Sequence, residues 1–132
     1  MKKLLPLLLE SSTVVLSFSR LDAQRQAFST GAPAELALAR SVGLDHLRSA
    51  ASRKAIDGLN DLVVSKAHVD RQAMAHTRVQ QLFRGVRVFG GEAIAHLNPD
   101  GTVFGETDDL VAGVNVDTTP RLTATDAIRI AT

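Results

Sequence analysis

The spacing of apolar positions divides the chain in two. Up to about residue 55 the apolar residues recur at helical intervals, and from Leu62 they recur at intervals of two. Ala34-Glu-Leu-Ala-Leu-Ala-Arg-Ser-Val42 is rich in strong helix formers, with Leu38, Ser41 and Val42 at helical spacing. Pro33 suits a first helical turn, Thr30 stands further back as a candidate cap, and Gly43 is a natural stop. These signals predict a helix over 33–42. A second helix or an irregular continuation follows over Leu44–Ala55, with Leu44, Leu47 and Ala51 on one side. Asp57-Gly-Leu-Asn-Asp61 has the composition of a turn.

The period-two region predicts strands over Leu62–Val69 and Met74–Phe83, joined by a loop at Asp70–Ala73. In the second strand Thr77, Val79, Gln81 and Phe83 share one face and His76, Arg78, Gln80 and Leu82 the other. Neither set is purely apolar, so the alternation leaves the buried side open. Strand character breaks at Gly85, resumes through Val86–Phe89, breaks again at Gly90-Gly91 and continues over Glu92–Leu97. Asn98-Pro-Asp-Gly101 has the residues of a type I turn and predicts an antiparallel return strand at Thr102–Phe104. Beyond it, Glu106–Asp109 reads as an exposed acidic loop and Val111–Val116 as a short strand. Thr118–Leu122 reads as extended chain, and Thr123-Ala-Thr-Asp126 as a cap opening a helix that continues over Ala127–Ala131. The fold expected is α+β, an N-terminal helix packed on an antiparallel sheet.

Composition narrows the function classes. At 132 residues and 45% hydrophobic, the chain can bury one core, and with no Tyr or Trp and only five Phe that core is expected to be built from Val, Leu, Ile and Ala. A net charge of +1 gives no electrostatic case for nucleic acid. The charges are unevenly placed: residues 1–91 carry 13 Lys/Arg against 7 Asp/Glu, and residues 92–132 carry 2 against 7. The absence of cysteine excludes disulfides and thiolate metal sites. Residues 1–23 read as a secretory signal, with two lysines before an apolar run, although Glu10 interrupts that run and Leu21 is large for a cleavage site. The stretch is too short and interrupted to span a membrane. Residues 24–32 read as a linker, and the short helix at the C-terminus reads as a truncated element.

Catalytic constellations do not occur in the sequence. There is no H-E-x-x-H zinc motif and no G-x-S-x-G elbow. The histidines lie at 46, 68, 76 and 96, none at helical ligand spacing. His76 and His96 can face each other across paired strands, but two imidazoles without a third ligand make a poor metal site. Neither a metal nor a cofactor is therefore expected. No phosphate-loop lysine follows Gly90-Gly91, so that pair is expected to form a bulge or bend, and Gly85 a tight connection.

The stretch Val79–Glu92 resembles the fungalysin/thermolysin propeptide domain, found in the pro-regions of secreted thermolysin-type zinc metallopeptidases. The residues that carry the resemblance are Gln80 or Gln81, Phe83, Gly85, Val86, Val88, Phe89 and Gly90, followed by Gly91 and Glu92. It continues through His96–Gly101 and Asn115–Pro120, and Leu122–Ile128 looks like the opening helix of a PepSY domain. The resemblance implies a cystatin-like or PepSY-like propeptide domain over 33–117 and the start of a second domain over 118–132. It implies a fragment of a protease pro-region that acts as intramolecular chaperone and inhibitor and is not itself an enzyme. Its partner would be the cognate catalytic domain, in cis in a secreted precursor, with no nucleic acid and no membrane beyond the signal. The alternatives are a free-standing secreted binding module or protease inhibitor, and a non-functional remnant of a protease gene.

Overall fold

The computed structural model describes residues 26–56 and 58–131, so the signal reading at 1–23 lies outside the described residues. The helix α1 (Pro33–Arg53) is followed by four strands, β1 (Asn60–Val69), β2 (Ala75–Phe83), β3 (Val86–Leu97) and β4 (Val103–Asp108), and by a short helix α2 (Ala124–Ala131). The strands form one antiparallel sheet in the order β1-β2-β3-β4, each hairpin joining neighbours in sequence. Helix α1 lies against all four strands. The architecture is the expected α+β arrangement, a helix N-terminal to an antiparallel sheet.

Gly43 does not stop the helix. The helix runs unbroken to Arg53, and Gly43 sits mid-helix on a stripe with Ala39, Leu47 and Ala51, all buried. Residues four apart lie one above another on a helix face, so this stripe of mainly small residues is what the sheet meets. The cap also differs from expectation. Thr30 gives no side-chain cap; the N-cap is Ala32. The backbone N–H groups of Ser29, Thr30 and Gly31 instead donate to the Glu35 carboxylate, at 3.1, 3.1 and 2.8 Å to Oε2. These donors and the Ser29 hydroxyl hold the Glu35 pKa down to about 2.

The strip just before α1, expected as linker, contributes to the core. Phe28 is fully buried with Ala39, Ala75 and Leu97, and the N–H groups of Ala27 and Phe28 donate to the Pro99 carbonyl. A second cluster joins Leu47 and Ala51 of α1 to Leu62, Val79, Ala93 and Ala95 of the sheet and to Leu110 beyond it. The buried side of β2 is therefore that of Thr77, Val79, Gln81 and Phe83. Two polar side chains on that face, Thr77 and Gln81, are fully buried.

The Asn98–Gly101 turn joins β3 to β4 as expected, with Gly101 N–H donating to Asn98 O at 2.9 Å and Asn98 N–H to Thr102 O at 2.8 Å. The acidic run after it is not an exposed loop. Glu106 and Asp108 belong to β4, Glu106 pairs with His46, and Lys54 holds Asp108 at 2.8 Å. Burial pushes the Asp108 pKa up, but the Lys54 ammonium and the Leu110 N–H outweigh it and leave the carboxyl below its ordinary value. Residues 111–116 form no strand. Thr123 and Asp126 form the expected cap of α2, with Asp126 N–H donating to Thr123 Oγ1 and Thr123 Oγ1–H to Asp126 Oδ2.

Candidate functional site

Helix α1 covers one face of the sheet, and the other face is open. An irregularity in β1 decides what the open face carries. Val64 pairs with Val79 and Lys66 with Arg78, so Ser65 is an extra residue, a bulge. Leu62 and Val64 precede the bulge on the helix side, and Ala67 and Val69 follow it on the same side. Without the extra residue the alternation would turn Lys66 and His68 toward the core. With it they join the opposite face.

Two rows of register partners then cross the open face. Lys66, Arg78 and Ile94 form one, and His68, His76 and His96 the other. Together these six residues line a shallow groove of about 390 Å³. The His68 and His76 rings stack with centroids 4.9 Å apart, and His76 meets His96 edge-on at 5.1 Å. The Nδ1 atoms of His76 and His96 are 2.8 Å apart. Asp70, in the β1–β2 turn, shapes both the turn and the row. Its Oδ1 accepts from the N–H groups of Gln72 and Met74, each at 2.9 Å, and its Oδ2 lies 3.0 Å from His76 Nε2. Thr107 Oγ1 stands 3.2 Å from His96 Nε2. The Asp70 pKa is held below its ordinary value, first by the His76 hydrogen bond and then by the turn N–H groups.

Burial lowers the pKa of His68 and of His96, and for both the neighbouring His76 charge lowers it further; Lys66 adds to this at His68. The charged groups facing the row are Lys66, Arg78 and Asp70. The unfolded chain therefore protonates these imidazoles first as pH falls. Their contribution to stability is complete above the ordinary histidine range and is lost as pH falls through that range toward the folded values. The melting temperature is expected to drop between pH 7 and pH 5, and much less so in a His68→Gln/His96→Gln variant. A parental profile flat over that interval would contradict the assignment.

The residues of the Val79–Glu92 stretch gather at the far end of the same hairpin. Arg84 and Gly85 form its tight turn, at φ 48° and 79°. Gln80 pairs with Glu92 and Leu82 with Arg87, so residues 88–91 bulge from β3 opposite Gln81. The Gln80 amide nitrogen closes that bulge, lying 2.9 Å from the carbonyl oxygens of Gln81, Val88 and Gly91. Glu92 pairs with Arg78 at 2.6 Å and Arg87 at 3.1 Å across its mouth. Phe83 is buried at the end of β2, whereas Phe89 stands fully exposed on the bulge.

Gly90 and Gly91 have different tasks. Gly90 has φ 76° with open space where a side chain would go. Gly91 is buried, and a Cβ there would lie 2.9 Å from Gln81 Oε1 and 3.0 Å from a Val88 methyl. Gly90→Val is expected to cost about 1–3 kcal/mol through its backbone alone. A chemical denaturation midpoint unchanged from the parent would rule this out.

The structure brings Gln80, Val88, Gly90, Gly91 and Glu92 together at the bulge and places Gln81 beneath it on the core side. It sets the histidine row apart from them, further along the sheet. The signal for that row was that His76 and His96 can face each other across paired strands; the β1 bulge that adds His68 shows in the sequence only as a change of phase, from apolar Leu62 and Val64 to apolar Ala67 and Val69. Among the described residues, no group of three or more His, Cys, Asp or Glu is arranged to hold a metal ion, and no helix is long and apolar enough to cross a membrane.

No curated protein matches the chain. A family model does, the fungalysin/thermolysin propeptide motif, over residues 60–107. The match begins at the first residue of β1 and ends one residue before the end of β4, so it coincides with the sheet. It includes the glutamine-clamped bulge and the histidine row and leaves out α1 and α2. Residues 60–107 of this chain thus match the fungalysin/thermolysin propeptide motif, and they are built as one four-stranded antiparallel sheet.

Proposed function

We propose that the chain is the N-terminal part of the pro-region of a thermolysin-type metallopeptidase precursor, and acts there as intramolecular chaperone and inhibitor. The observation that carries this reading is the family match over the whole sheet, in a sequence without a zinc-peptidase motif. A propeptide domain works by binding. It stabilises a native-like form of its protease, lowers the barrier to reaching it, and is then cut away. The domain unit is 33–117 together with the strip around Phe28, and 118–132 with its capped helix opens a second, PepSY-like domain. The precursor is secreted. Exposed apolar side chains on the motif, Phe89 and Phe104 first among them, supply contact area to the protease. The basic first part and acidic last part of the chain help to orient the encounter.

The test is binding and refolding in trans. The purified chain is expected to hydrolyse no peptide. It is expected to bind the cognate catalytic domain at low salt, to bind less at high salt, and to raise the yield of active protease on refolding. Phe89→Ala should weaken binding without changing the melting temperature, because the side chain has nothing to lose in the isolated fold. The reading frame of the precursor is expected to encode H-E-x-x-H downstream. No association at low salt and no such reading frame would favour a free-standing binding module instead.

A further inference from the structure

The contact between His76 and His96 holds one proton between two ring nitrogens, and its neighbours fix which of them carries it. Asp70 Oδ2 can only accept, so the His76 nitrogen 3.0 Å from it, Nε2, carries the hydrogen. In a neutral ring that leaves Nδ1 of His76 as a bare lone pair. The Nδ1 of His96, 2.8 Å away, must then donate. Its own Nε2 becomes an acceptor for the Thr107 hydroxyl at 3.2 Å. The result is a chain from a carboxylate through two imidazoles to a hydroxyl, with a single proton held between two ring nitrogens that point at each other.

We propose that this pair is a binding site for a divalent transition cation of tetragonal preference, Cu²⁺ or Ni²⁺, held between the two Nδ1 atoms. Two ligands at right angles, each about 2.0–2.1 Å from a metal, stand about 2.9 Å apart, whereas a tetrahedral ion needs them about 3.3 Å apart. The observed 2.8 Å matches the nitrogen separation of the first case, and each ring turns so that the two lone pairs meet at the ion. On binding, both Nδ1 lone pairs turn to the ion. His96 shifts its hydrogen from Nδ1 to Nε2, which donates to Thr107 Oγ1, so both rings stay neutral and no proton is lost to solvent. Asp70 remains on His76 Nε2–H, the carboxylate backing that orients a metal-bound imidazole and raises its basicity. The site needs no third protein ligand. Its remaining positions face the open groove, where water or a partner's side chain completes the shell. His68 stacks on His76 and walls the site without coordinating. Glu92 offsets the charge of Arg78, and Lys66 is the cation that opposes loading, so the ion is exchangeable and not a structural cofactor. The inference is a property of the sheet face and stands apart from the propeptide reading.

Titration of the full chain with CuSO₄ and NiCl₂ tests it, by calorimetry at pH 7.5 in buffers of different ionisation enthalpy and by electron paramagnetic resonance of the copper form. The expected result is one equivalent bound, no net proton released by the two rings, and a copper signal split by two nitrogen donors. His76→Gln and His96→Gln should each lower affinity at least about tenfold. Asp70→Asn should lower it about tenfold or more with both ligands in place, which keeps the test informative if a histidine variant folds poorly. His68→Gln should leave affinity within about twofold. Binding that survives in both His76→Gln and His96→Gln, a copper signal with one nitrogen or none, or no saturable binding by the parent would overturn the proposal.

Discussion

Gly43→Val is expected to leave the chain largely unfolded. A side-chain carbon at position 43 would lie 2.6 Å from Thr77 Cβ and 2.8 Å from Thr77 Oγ1. The obstacle is the root of a strand residue and not a flexible tip, so helix and sheet must separate locally to admit it. Separation breaks more than packing. The Thr77 hydroxyl, fully buried, donates to the Ala39 carbonyl of the same helix at 2.8 Å, and a retreating helix leaves that hydroxyl without its partner. Overpacking of a tight core costs about 1–3 kcal/mol and sometimes more, and each buried polar group left without a partner about 1–3 kcal/mol. Together these approach the low end of the stability of a small domain, about 5–15 kcal/mol. Even Gly43→Ala, which would gain about 1 kcal/mol in an exposed helix, is expected to destabilise. Circular dichroism melts of both variants decide the matter. A Gly43→Ala chain more stable than the parent would show that the glycine serves no close approach.

The same glycine explains why the helix was legible only in part. A glycine after a run of helix formers reads locally as a stop. Its reason for being inside the helix lies on Thr77, far along the chain, and no local pattern contains that. The sheet was more legible because its signals are local. The Asn98–Gly101 turn and the Arg84-Gly85 break each join strands that are neighbours in sequence. Ambiguity over the buried face came from Thr77 and Gln81. These are polar residues on the core side, satisfied by partners from α1 and from the chain beyond β4. Glu106 and Asp108 looked like a solvated acidic loop for the same reason, since His46 and Lys54, which pair with them, come from α1. In the candidate site, the sequence showed only that His76 and His96 can meet if their strands pair. Their direct opposition rests on the β2–β3 register, and the arrival of His68 beside them on one extra residue in β1.

Gln81→Leu is expected to cost about 2–4 kcal/mol, as the sum of several hydrogen bonds worth about 1 kcal/mol each and the exposure of what they held. Gln81 is fully buried in β2, yet its amide uses both ends. Its nitrogen donates to Asn60 Oδ1 at 2.7 Å and to the Val111 carbonyl at 2.8 Å, and its oxygen accepts from the Val111 N–H at 2.8 Å. The chain leaves the sheet after β4, and this double bond to Val111 fastens it back down. Leu110, the preceding residue, is thereby held in the core cluster with Leu47 and Val79. A leucine keeps the apolar volume and removes both backbone bonds. Residues 109–111 should then detach and expose Leu110, while β2 and its neighbours stay paired. Gln81→Glu is the sharper probe. A carboxylate can still accept from the Val111 N–H but turns an acceptor toward the Val111 carbonyl and Asn60 Oδ1, so at neutral pH it should destabilise at least as much as leucine. Protonation supplies one donor, and part of the loss should return in mild acid relative to Gln81→Leu at the same pH. Hydrogen exchange at the Val111 amide, followed beside the melting temperature, separates local detachment from global unfolding. Protection at Val111 unchanged in Gln81→Leu would show that something other than this amide holds the segment to the sheet.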